Sequence, residues 1–159
     1  MTLVGIGFDS HRFAAGRRLV IGGVEIPYEK GLDGHSDADV LAHAVTDALL
    51  GAAGMGDIGE HFPDTDERWR DADSMQLLAS VAQRVREAGL EIANVDCTVV
   101  MEAPKLYPHR DAIRQRLASA LGLESARVGV KASTGEGMGF VGRGEGVAAL
   151  AVAGLRDGA

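Results

Sequence analysis

Glycine abundance and aromatic scarcity together limit what this chain can fold into. Glycine supplies 22 of 159 residues, about 14% and roughly twice the usual share, while aromatic residues make up 4%. The core must therefore be built mainly from Val, Ile, Leu and Ala. Many backbone positions must take positive φ or pass close to a neighbouring element. A domain of this length buries a sizeable core without staples. Residues 1–159 read as one domain with no repeat, linker or low-complexity segment.

Charge narrows the class of partner. Lys and Arg number 16 and Asp and Glu 23, a net charge of −7. That balance argues against nucleic-acid binding, which needs a basic footprint, and against electrostatic attachment to a membrane. An anionic substrate must then be held by local positive groups or metal ions. The one cysteine, Cys97, excludes an internal disulfide and sits in a strand-like run, where a small buried hydrophobe is the expected role. The N-terminal residues show no basic region followed by a long apolar stretch, so the expected compartment is the cytoplasm.

Periodicity orders the elements. Residues 3–13 read as a strand, with Val4, Ile6 and Phe8 on one alternating set. Residues 18–26 read as a hairpin broken at Gly22-Gly23. A helix over 40–50 carries the stripe Val40, Leu41, Ala44, Val45, Ala48 and Leu49, and Ser36 or Asp37 is the expected N-cap. Residues 51–66 are too rich in Gly, Pro and Asp for regular structure. A second helix over 74–88 has Asp73 or Ser74 as its cap and Gly89 as its stop. A β-branched strand over 90–101 follows, then a helix with Pro108 just inside its start and Gly122 beyond its end. Residues 127–133 form a strand and 135–146 a glycine-rich loop; 147–155 is apolar and fits strand or helix. This order predicts an α/β domain of the α+β type, a mixed sheet with helices on one face.

Asp9 and His11 are the sharpest local feature. On a strand they point to one face, offering a carboxylate and an imidazole together. His43, on the first helix, is the best third ligand for an open zinc site. Asp47 follows one turn later and is the expected partner of the other His43 nitrogen. His61 and His109, in proline-flanked loops, read as solvated. Lys131-Ala132-Ser133-Thr134-Gly135-Glu136 brings a cation, hydroxyls and an acid to a strand end, and the glycines around Arg143 allow an anion nest. Neither glycine-rich segment has the spacing of a dinucleotide or P-loop motif.

Taken together, Gly7-Phe8-Asp9-Ser10-His11, His35-Ser36-Asp37, Gly56-Asp57-Ile58-Gly59, Phe62-Pro63-Asp64-Thr65-Asp66, Ala103-Pro104-Lys105 and Gly139-Phe140-x-Gly142-Arg143-Gly144-Glu145-Gly146 occur in one order. In that order they resemble the 2-C-methyl-D-erythritol 2,4-cyclodiphosphate synthase family of the non-mevalonate isoprenoid pathway. The resemblance implies that 4-diphosphocytidyl-2-C-methyl-D-erythritol 2-phosphate closes on itself, its 2-phosphate attacking the β-phosphorus as CMP leaves. It implies zinc on Asp9, His11 and His43, and Mg²⁺ or Mn²⁺ on Glu136. His35 and Thr134 would stabilise transition-state charge, and Ser10 and Ser36 would join the substrate contacts. Asp57, Ile58, Gly59, Phe62, Pro63, Asp64, Thr65 and Asp66 would contact the erythritol part. Met101, Glu102, Ala103, Pro104, Lys105, Leu106 and Tyr107 would receive cytosine, with Ser133 and Lys105 on the cytidine-side phosphates. Gly135, Gly137-Met138 and Tyr107 depart from the family pattern without removing a ligand.

The resemblance also implies a homotrimer with active sites between subunits and the helix-free sheet face turned inward. Phe140 and Arg143 would line a central cavity able to take an isoprenoid diphosphate; alternatively, Arg143 and Glu145 pair across the interface. Two other functions fit parts of the pattern. A zinc hydrolase would use the same ligands with a metal-activated water. A trimeric module binding nucleotide or isoprenoid diphosphate would keep zinc as structure only.

Overall fold

The computed structural model describes residues 1–159, and its elements follow the periodicity of the chain. They are β1 (Thr2–Ala15), β2 (Leu19–Ile21), β3 (Val24–Ile26), β4 (Lys30–Leu32), α1 (Val40–Ala52), α2 (Ile58–His61), α3 (Ser74–Glu87), β5 (Leu90–Val100), α4 (Arg110–Leu121), β6 (Val128–Ser133), α5 (Gly139–Gly142) and β7 (Gly146–Asp157). The main sheet runs β4-β1-β7-β5-β6, with β2 and β3 a separate hairpin. β5 and β6 are parallel and the other neighbours antiparallel, so the sheet is mixed as expected. The ambiguous last segment is β7. It is alanine-rich, yet it lies between β1 and β5 and pairs with both, which overrides local propensity.

Contact between β1 and α1 fixes the layer geometry. A Cβ at Gly5 would stand 2.1 Å from the Ala48 carbonyl oxygen, and one at Gly7 1.8 Å from that of Ala44. Only glycine lets the helix lie directly on the strand there. Asp9 and His11 continue the same strand face. Val4, Ile6 and Phe8 take the opposite face and are exposed, beside Leu150 and Val152 of β7. The helices thus cover one face, and an apolar stripe marks the other. The covered side packs Leu41, Leu49, Leu78, Ile113, Leu117 and Leu155, all fully buried. Phe62 is the one aromatic side chain in the buried core.

Several local expectations need correction. Ser36 and Asp37 do not cap α1. Asp39 does, accepting from Ala42 N at 3.0 Å, and its buried carboxylate also holds Gly22 N at 2.8 Å and Gly23 N at 2.7 Å. One carboxylate thereby joins the β2–β3 hairpin to the start of α1. β4 was not expected; three residues are too few to show a period. The expected irregular segments contain the short helices α2 and α5. Pro108 lies in a 3₁₀ turn, Tyr107–His109, just ahead of α4. His61 is not solvated: Met55 O lies 2.8 Å from its Nε2, and Arg84 donates to its Nδ1 at 2.7 Å. No helix is long and apolar enough to cross a membrane.

Candidate active site

Strand period and helix contact bring three ligand atoms together. His11 Nε2 lies 2.8 Å from Asp9 Oδ2, His43 Nδ1 lies 3.0 Å from the same oxygen, and the two nitrogens are 3.4 Å apart. The three side chains are partly buried and form one cluster of metal-ligand type. A tetrahedral zinc site needs ligand atoms roughly 3.3 Å apart, given bonds of about 2.0–2.1 Å. The donor set and its spacing therefore fit a small divalent ion with one side of the triangle open.

The remaining ring nitrogens are accounted for. His11 Nδ1 lies 2.8 Å from the Asp33 carbonyl, which can only accept, so that nitrogen carries hydrogen and Nε2 faces the cluster. His43 Nε2 lies 2.7 Å from Ser74 Oγ and 3.2 Å from Ser36 Oγ. Asp47 was expected in that place and is not there. Its carboxylate accepts from Ile58 N at 2.9 Å and steadies the start of α2. Spacing along α1 brought Asp47 near, but the ring already had a better acceptor. Burial raises the Asp47 carboxyl above its usual range.

Electrostatics in the cluster follow from the geometry. Burial alone pushes the Asp9 carboxyl up, but hydrogen bonds and charge from His11 and His43 outweigh it and bring it down to about 2. Burial likewise pushes His11 down, and the Asp9 carboxylate more than reverses this, leaving it raised. Elsewhere, burial beside Asp96 pushes the Cys97 thiol up to about 12, in keeping with a core role.

Beside the cluster is a cavity of about 430 Å³. It brings His11, His35, Ser36 and His43 together with Ile58, Gly59, Phe62, Pro63 and Asp64, all singled out in the sequence. His35 Nε2 lies 3.2 Å from the Asp66 carbonyl, which ties the two loops together. Sequence reasoning missed three supports here. Arg17 donates to the Gly34 and Ser36 carbonyls at 3.1 and 2.8 Å, clamping the His35 loop. Trp69 forms part of the cavity wall, and Ser74 holds His43. None of these contacts has a local spacing signal. Ser10 and Phe140 instead line a second, more open cavity of about 780 Å³ with Lys30 and Glu145.

The 101–107 segment and the 133–136 turn line neither cavity. The 101–107 segment leaves β5, and Ser133, Thr134, Gly135 and Glu136 leave β6. Met101 N bonds the Ser133 carbonyl at 2.9 Å, and the Glu102 carboxylate accepts from Gly135 N, so these loops form one unit. Asp9, Ala149, Val99 and Ala132 lie in one row across the sheet. Three strand spacings make that row about 14 Å wide. Glu136 is exposed at φ 54, and its N–H bonds Thr134 Oγ1 at 3.2 Å. Arg143 and Glu145 pair within the chain at 3.0 Å.

A mixed sheet covered on one face, with a carboxylate and two imidazoles where β1 meets the first helix, defines a metal-site α/β domain. The YgbB family model matches residues 2–156, and the chain belongs to that family. It is 60% identical over 152 residues to the 2-C-methyl-D-erythritol 2,4-cyclodiphosphate synthase of Halalkalibacterium halodurans, covering 96% of this chain and 97% of that one. The enzyme of the same name from Bacillus velezensis is 57% identical over 151 residues, covering 95% and 96%. Among solved structures, a 2C-methyl-D-erythritol-2,4-cyclodiphosphate synthase in its CDP-bound form superimposes with TM-score 0.88 at 40% identity, over 96% of this chain and 99% of that one. The bifunctional IspDF of Campylobacter jejuni gives TM-score 0.95 at 46% identity, over 99% of this chain and 42% of that one.

Proposed function

We propose that this protein converts 4-diphosphocytidyl-2-C-methyl-D-erythritol 2-phosphate into 2-C-methyl-D-erythritol 2,4-cyclodiphosphate and CMP, a phosphorus–oxygen lyase step in isoprenoid precursor synthesis. The observation that carries the reading is the Asp9–His11–His43 triangle beside the His35–Ser36 cavity, in a chain 60% identical over almost its full length to a synthase of that name. The new bond joins a 2-phosphate oxygen to the β-phosphorus, and the bond from that phosphorus to the bridging α-phosphate oxygen breaks. Both reacting groups belong to one molecule, so the protein needs no nucleophile. Positioning and charge neutralisation must supply the rate.

Asp9, His11 and His43 would hold Zn²⁺, which when bound withdraws charge from the β-phosphate as a Lewis acid. Glu136 would hold Mg²⁺ or Mn²⁺. His35 and Thr134 would face the charge that develops on the phosphoryl oxygens. Asp57 and the 62–66 loop would orient the erythritol part, and the 101–107 loop would take cytosine. A span of about 14 Å separates the two halves in one chain. We therefore place the working site between subunits of a homotrimer, one chain's 133–136 turn meeting its neighbour's zinc site. The exposed stripe Val4, Ile6, Phe8, Leu150 and Val152 supports this assembly, since it is an apolar face to be covered. The same reading puts the enzyme in the cytoplasm. An isoprenoid diphosphate in the central cavity would share the Arg143 guanidinium with Glu145.

Incubation of purified protein with the substrate, Zn²⁺ and Mg²⁺ tests the reading. CMP release with a cyclic diphosphate in the phosphorus NMR spectrum is the expected result. Release of linear phosphate products would instead identify a zinc hydrolase. Sedimentation gives the assembly state; a monomer at micromolar concentration would overturn the shared-site arrangement.

A further inference from the structure

Behind His43, on the side away from the metal ligands, lies a chain of hydrogen bonds that the reaction as derived does not use. Ser74, the first residue of α3, is buried. Its Oγ lies 2.7 Å from His43 Nε2 and donates to Asp37 Oδ1. Asp37 Oδ1 also accepts from Asp39 N at 3.1 Å, and Oδ2 from Ser74 N at 3.0 Å. The carboxylate is thereby fixed by backbone groups on both sides of the loop.

Donor count settles the direction of the chain. A carboxylate accepts only, so the single serine hydrogen points to Asp37. The Ser74 oxygen is then an acceptor toward His43, and Nε2 must carry the ring hydrogen. Nδ1, 3.0 Å from Asp9 Oδ2, is then the nitrogen whose lone pair a bound ion would take. His11 is set the opposite way, with hydrogen on Nδ1 toward Asp33 and Nε2 toward the cluster. One ligand is fixed by a backbone carbonyl, the other by a hydroxyl backed by a carboxylate.

We propose that Ser74 and Asp37 are positioning residues that lock the tautomer and ring orientation of His43 for metal binding. This rests on the zinc reading of Asp9, His11 and His43. It gives α3 a part in the site, because its first turn delivers the hydroxyl. Ser36 Oγ, at 3.2 Å, is a weaker reserve acceptor, so loss of Ser74 weakens the site without abolishing it.

Zinc affinity of the full chain, measured by chelator competition, is the primary readout. Ser74→Ala is expected to weaken zinc about ten- to a hundredfold, as loss of such partners typically does. Asp37→Asn weakens it by a smaller factor. Asp73→Ala is the control: it removes the cap that accepts from Met75 N at 2.9 Å but does not touch His43. It should lower the melting temperature and leave zinc affinity unchanged. Cobalt-substituted Ser74→Ala should show shifted d–d bands, and cobalt-substituted Asp73→Ala should not. Parental zinc affinity in folded Ser74→Ala, or an equal loss in Asp73→Ala, overturns the proposal. If Ser74→Ala does not fold, Asp37→Asn decides by the same criterion. A parent chain that binds no zinc, or binds it equally after His43→Ala, overturns the metal reading together with this one. A parent that binds through His43 while Ser74→Ala binds as tightly overturns this one alone.

Discussion

The β1–α1 end of the site and the β5–β6 end differ in how complete they are. At the first, the side chains of His11 and His43 are only 18% and 14% exposed, and each ring nitrogen has a partner. At the second, Tyr107 is 73% exposed and Met138 71%, and the Glu136 carboxylate stands in solvent. One end is finished within a single chain. The other has a fixed backbone, through the Glu102–Gly135 bond, and exposed side chains. The contrast teaches that the metal-ligand cluster is finished by the fold of one chain, whereas the β5–β6 loops fix a backbone and leave their side chains exposed.

The sharpest way to break this contrast is His43→Ala. Turnover should fall to background and zinc be lost, while metal-free protein unfolds near the parental temperature, since the ring is a ligand and not core. A large drop in melting temperature would show that the first end is structural. Next in size is Gly7→Ala. The new Cβ meets the Ala44 carbonyl at 1.8 Å, so α1 must lift from β1. A cost of about 3 kcal/mol or more, with loss of zinc binding, is expected in chemical denaturation. Parental stability would mean that the close approach is not required.

Glu136→Gln probes the open end. Activity should drop, and the Mg²⁺ concentration needed should rise about tenfold or more, with bound zinc unchanged. Equal loss of both metals would show that the two ends are not separable. Acid titration of the metal-free protein gives a smaller effect. Asp9 sits at about 2 in the fold against an ordinary 3.8, so its contribution is full above pH 3.8 and is lost as pH falls toward 2. His11 is raised above 6.5, so its contribution is full below that value and fades as pH rises through its raised one. Asp9→Asn should flatten both slopes in pH-dependent thermal unfolding. Zinc affinity should rise across the upper interval, because the ion displaces a proton from His11. Smallest is Asp47→Asn. The amide oxygen can still accept from Ile58 N and burial disfavours the carboxylate charge, so stability within about 0.5 kcal/mol of the parent and little change in zinc affinity are expected.

How far the sequence reaches follows from how local each signal is. Asp9 and His11 were legible because strand parity puts i and i+2 on one face. The faces themselves were not, because alternation separates Val4, Ile6 and Phe8 from Gly5, Gly7 and Asp9 without saying which set meets the helices. Small glycines, not large apolar residues, mark the packed side here. Asp47 was misjudged for a related reason. Helical spacing says which residues are neighbours, but acceptors are chosen by tertiary contact. Ser74 is 31 positions from His43 and 37 from Asp37, beyond any local pattern. The same holds for Arg17 and the loop it clamps. The ordered family strings, and not spacing, supplied the roles proposed for His35, Thr134 and the 57–66 and 101–107 loops.

The row Asp9–Ala149–Val99–Ala132 acts as a ruler. Its length is set by main-chain hydrogen bonds between adjacent strands, so no side-chain substitution alters it. Amino-acid drift can change which groups stand at either mark, but not the distance between the marks. Loops can lengthen and helix surfaces can be rewritten while the separation between Asp9 and Ala132 stays constant.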